Sequence, residues 1–127
     1  MWFEDVDFCR RARNCGWQVF YEPTAVFSHT GGHSVEQLPF PQRQLFWYRN
    51  LLRYFRKHHG RVQSLVLRIS IAIGMIMRCA AVLAGTGPPS VNTRQALKAY
   101  WLVLRHCILG ETKAAVSTPK TAAEGKI

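Results

Sequence analysis

From Val62 to Ala84 the sequence is apolar almost throughout, with Arg68 and Arg78 as its only charged residues. A segment of this kind has to be covered by protein or by lipid. Its longest uncharged run, Ile69 to Met77, falls well short of the ~20 residues that a spanning helix needs. The expectation is therefore a helix lying in a membrane interface or packed in a core, with a transmembrane course left open.

The flanking segments point to helices as well. From about Pro41 to His59, the residues Leu45, Tyr48, Leu52 and Phe55 recur at helical spacing, while Arg49, Arg53, Arg56 and Lys57 fall on the other face. Gly60 is positioned to break this helix. After the GTGPPS break, Asn92 or Thr93 can cap a third helix. Leu97, Tyr100, Trp101, Leu104 and Ile108 form its apolar stripe, opposite Arg94, Lys98 and Arg105. Residues 111–127 are small and polar and are expected to be disordered.

Charge is distributed unevenly. The chain carries 17 Lys and Arg against seven Asp and Glu, a formal net charge of +10. No acidic residue stands between Glu36 and Glu111. A basic stretch of this kind implies an anionic neighbour such as lipid headgroups, nucleic acid or a phosphorylated substrate. Nucleic acid is disfavoured, because the basic residues alternate with long aliphatic faces and no known binding module is present. The opening MWFEDVDFCRR lacks the basic and apolar regions of a secretory signal. Cys9, Cys15, Cys79 and Cys107 are accordingly expected as reduced thiols.

Three of the seven acids, Glu4, Asp5 and Asp7, crowd into four positions. They open a predicted helix over residues 4–15, which ends in Arg10, Arg11 and Arg13 before Gly16. Asp7 and Arg11 lie one turn apart and can pair. Two β-favouring runs follow, Trp17–Tyr21 and Ala25–His29, separated by the turn-like Glu22-Pro23-Thr24. Cys9, Cys15, His29 and His33 imitate a zinc finger, but their spacing is wrong. On one helix the two cysteines would also point about 240° apart. Small buried thiols are the better reading for both cysteines.

The ordered series Glu4-Asp5-x-Asp7-x3-Arg11, Gly16-Trp17, Pro23 and His29 before Gly31-Gly32 resembles the C-terminal part of the catalytic domain of family 2 glycosyltransferases. The likeness is to rhamnosyltransferase-like and galactofuranosyltransferase-like members with a GT-A fold, and it covers about the first third of the chain. It implies that Asp5 is the catalytic base, taking a proton from the acceptor hydroxyl in an inverting transfer. It further implies that Glu4 contacts the acceptor, and that Asp7 and Arg11 form a supporting pair. His29 would help to bind Mg²⁺ or Mn²⁺ on the diphosphate of a nucleotide-sugar donor. The acceptor implied is lipid-linked or a cell-envelope glycan, at the cytoplasmic face of the membrane.

On this likeness the chain is expected to be an α+β, mostly helical fragment. Residues 1–39 would be the end of the catalytic domain, residues 40–110 amphipathic membrane-associated helices and residues 111–127 a tail. The nucleotide-binding half is missing, so the fragment would be inactive alone. Plainer readings stand beside these. Acids at a helix start commonly serve only as caps and dipole complements. His29 at a strand end can be structural, and His58 and His59 can simply end a basic helix. A small membrane-surface protein without chemistry is the alternative to an enzyme.

Overall fold

The computed structural model describes residues 2–28, 35 and 37–110. Among them are four helices: α1 (Glu4–Asn14), α2 (Phe40–His58), α3 (Arg61–Leu83) and α4 (Thr93–Leu109). The boundaries follow local chemistry. Pro39 and Pro41 open α2, where a missing backbone N–H costs nothing. Gly60 separates α2 from α3, and the Gln63 side chain reaches back to accept from the Gly60 N–H at 2.9 Å. Asn92 caps α4 by accepting from the Arg94 N–H at 3.1 Å. Gly16, with φ at +88°, ends α1 in the left-handed region that favours glycine.

α4 packs along both α2 and α3, which touch one another less extensively. The core comprises Leu52 of α2, Ile71, Met75 and Val82 of α3, and Ala96, Ala99, Tyr100, Val103 and Cys107 of α4. The buried centre of α4 is thus displaced from the expected stripe. Tyr100 is buried, with Leu97 and Leu104 packed at its side, but Trp101 and Ile108 are exposed. Small side chains at Ala96 and Ala99 let the neighbouring helices come close, and that closeness sets the direction in which α4 faces. The Phe40 ring meets Tyr100 edge-on at 6.3 Å, while the Arg78 guanidinium lies over Tyr100 and donates to the Tyr48 hydroxyl.

One expectation is corrected here. The described residues contain no strand, so the helical unit is not an α+β piece of a GT-A domain. The turn between the two β-favouring runs does form: the Thr24 N–H and hydroxyl both donate to Glu22 Oε1, at 3.0 and 2.6 Å. Among the described residues the runs have no sheet to join. Trp17, Phe20, Tyr21, Val26 and Phe27 are exposed, and a two-stranded ribbon with no packed face is marginal in water. Strand propensity without a layer to bury against does not make a strand. His29 and the expected tail lie outside the described residues.

α3 provides a matched test of the core. Met75 is 2% exposed and Met77 67% exposed, two positions apart on one helix. Met75→Ala is expected to lower the free energy of unfolding by about 2–5 kcal/mol, and Met77→Ala by less than about 0.5 kcal/mol. Denaturant unfolding followed by helical circular dichroism measures both.

Candidate functional site

The three clustered carboxylates part ways once α1 is formed. At about 100° per residue, Asp7 turns toward the end of α2 and Asp5 toward the far side. Asp7 accepts from Lys57 Nζ at 2.8 Å on both oxygens and from Arg11 Nε at 3.0 Å. It also meets His58 Nε2. The Lys57 ammonium, and then the His58 ring, hold its carboxyl far below the usual carboxylate range. Arg10 reinforces the junction from the next turn. It donates to the Tyr54 hydroxyl at 3.3 Å and to the His58 carbonyl at 3.1 Å, and it meets His59 Nε2 at 3.0 Å. The His58 carbonyl belongs to the last turn of α2, whose carbonyls lack helical partners and attract cations.

Phe3 starts α1 in the left-handed region, with φ at +69°, a conformation that is costly for a bulky residue. Its ring packs on Trp47 at 5.6 Å and on Tyr54 at 5.9 Å, and those contacts offset the strain. Beside it lies a cleft of about 250 Å³ lined by Trp2, Glu4, Asp7, Asn50, Arg53 and Tyr54, among others. Aromatic walls with a few convergent polar groups are the make-up of a small-molecule site.

Asp5 does not line this cleft. It is exposed, and its Oδ1 accepts from the adjoining Val6 N–H at 2.8 Å. Among the described residues it takes part in no ion pair. The expected pairing of Asp7 with Arg11 is present, and Glu4 stands at the cleft. His58 and His59, read from sequence as a helix end, instead fasten α1 to α2 together with Arg10, Tyr54 and Lys57. The complementary charge of the acidic start and the RKHH end of α2 was the signal for this contact. Among the described residues no three His, Cys, Asp or Glu side chains group closely enough to hold a metal ion. His29, to which the resemblance assigns the divalent cation, lies outside them.

A second surface is defined by what α3 turns outward. Val62, Val66, Ile69, Ile73, Ile76 and Leu83 recur at helical spacing and are all exposed. The arginines of α3 lie away from this face, with the exposed Arg78 laid against Tyr48 and Tyr100. A helix with an outward apolar face and its cations off that face is suited to a membrane interface. α3 is long and apolar enough to cross a membrane by length and composition. At 1.5 Å per residue its 23 residues measure about 34 Å.

The hold on Asp7 sets an acid limit for the junction. Its folded carboxyl is depressed, so the stabilisation is fully present well above the unfolded value of about 4 and fades as pH falls below it. Hydrogen-exchange protection factors of α1 amides are expected to drop on acidification below about pH 4, while the α4 amides keep theirs. Asp7→Asn is expected to lower α1 protection already at pH 7. No family model matches the chain, and no match is found among the curated proteins or the solved structures.

Proposed function

We propose that the chain supplies the acceptor-side carboxylate of an inverting glycosyltransferase at the cytoplasmic face of a membrane. The enzyme would move a sugar from a nucleotide-sugar donor to a lipid-linked or cell-envelope glycan acceptor. The observation that carries this reading is the separation of duties among the three carboxylates. Asp7 is bound by Lys57, His58 and Arg11, whereas Asp5 is exposed and, among the described residues, outside any ion pair. A general base has to be reachable and ionised, with its position fixed by neighbours that do not neutralise it.

In the transfer step Asp5 takes the proton of the acceptor hydroxyl as that oxygen bonds to the anomeric carbon. The nucleoside diphosphate departs with the electron pair of the broken glycosidic bond. Glu4, the neighbour of Asp5 in the first turn, contacts the acceptor and orients it. Asp7 and Arg11 keep the first turn of α1 in place, and in this reading the donor site lies on polypeptide outside the four helices. The outward face of α3 supports the membrane location. The same face favours a second reading, a membrane-surface protein without chemistry of its own.

The two readings separate on Asp5. In membranes from cells making the native protein, Asp5→Asn is expected to lower sugar transfer by about 10²–10⁴-fold with helicity unchanged. Turnover retained in that variant would remove the enzyme assignment and leave the membrane reading. Ile73→Lys, on the outward face of α3, is expected to reduce vesicle association by about tenfold or more. Flotation assays measure that loss.

A further inference from the structure

Where α2 ends and α3 begins, cations gather around a cleft that no carboxylate among the described residues lines. A cleft of about 280 Å³ is lined by Arg56, His59, Arg61, Ser64 and Arg68, with Leu52 and Leu65 as its apolar walls. Arg56 and Arg68 also line an adjoining niche with Arg49, Arg53 and His106. Arg49, Arg56, Arg61 and Arg68 take part in no ion pair among the described residues. The sequence offers them no nearby acid either, since none occurs between Glu36 and Glu111.

Mutual repulsion among guanidinium groups is unfavourable unless an anion is shared between them. Two further features point the same way. The Ser64 hydroxyl is buried and, among the described residues, has no hydrogen-bond partner, although buried polar atoms ordinarily find one. The first turn of α3 also opens onto the cleft at Arg61 and Ser64, so the positive end of the helix dipole adds to the field.

We infer that this cleft binds a phosphate or diphosphate group, held by Arg56, Arg61 and Arg68 with the Ser64 hydroxyl as a neutral donor. Planar guanidinium groups match phosphate oxygens in bidentate fashion. Leu65 belongs both to the cleft and to the exposed apolar residues of α3. A phosphate carried on a lipid could therefore sit in the cleft while its chain follows α3. The inference stands on the cation cluster and does not depend on the role given to Asp5.

The test uses the full chain in nonionic detergent, titrated with inorganic pyrophosphate by calorimetry. Arg56→Gln/Arg68→Gln is expected to weaken binding by about tenfold or more. Arg13→Gln/Arg94→Gln, which removes the same charge elsewhere, is expected to change it by less than about twofold. Arg61→Gln, at an exposed position, covers the case in which the double variant does not fold, and should weaken binding by about threefold.

A second arm compares phosphatidylcholine vesicles containing phosphatidic acid with vesicles containing phosphatidylglycerol. Pyrophosphate binding that needs Arg56 and Arg68 identifies a site for free diphosphate. Preference for phosphatidic acid that needs the same residues, without pyrophosphate binding, identifies a lipid-borne phosphate. Equal weakening by the two double variants, or neither pyrophosphate binding nor a preference for phosphatidic acid, would overturn the inference.

Discussion

Ala96, Ala99 and Val103 are wholly buried, and their small size lets the backbone of α4 approach both α2 and α3. The other features of the unit are consequences of that closeness. It brings Leu52, Ile71 and Met75 into one core. It also fixes the rotation of α3, and so determines which of its residues are left outside. With Ile71, Met75 and Val82 turned inward, helical geometry leaves Val62, Val66, Ile69, Ile73 and Ile76 no place but the exterior.

Charge then organises the ends of the helices. Asp7 of α1 satisfies Lys57, His58 and Arg11 at the α1–α2 junction. Beyond that point, between Glu36 and Glu111, the chain offers no carboxylate to its arginines. Arg78 turns instead to the Tyr48 hydroxyl and the Tyr100 ring. Arg56, Arg61 and Arg68 converge on a cleft. Individual surface pairs contribute little, but a shared carboxylate such as Asp7 fixes one geometry for several partners at once.

The helices were legible in the sequence because their signals are local. Apolar spacing marked α2, near-continuous apolarity marked α3, Asn92 or Thr93 marked the start of α4, and the Asp7–Arg11 pair followed from one turn of helix. The strands failed for a tertiary reason: β propensity at Trp17–Tyr21 promises a pleated surface only when a partner sheet exists. The face of α4 was misjudged because large side chains drew attention to Trp101 and Ile108, while small ones set the packing. His58 and His59 were undervalued because their partners, Asp7 and Arg10, lie about 50 residues away in sequence. The division between an exposed Asp5 and a fastened Asp7 needed the docked helix to become visible.

The separation between Asp7 and Lys57 bears on how the unit opens and closes. Asp7 closes a loop of 50 residues onto Lys57 and Phe40 one of 60 onto Tyr100, but only the second closure is backed by the buried core. Closing a long loop carries an entropy cost, which burial of apolar surface offsets for α2 and α4. α1 contributes no residue to the buried core, and its attachment is ionic and aromatic at the surface. It therefore belongs to the low-stability end of the molecule, able to detach and return while the other helices stay folded. Asp5 rides on this clasp, so in the role proposed for it the population of the docked state would set how often its carboxylate is in place.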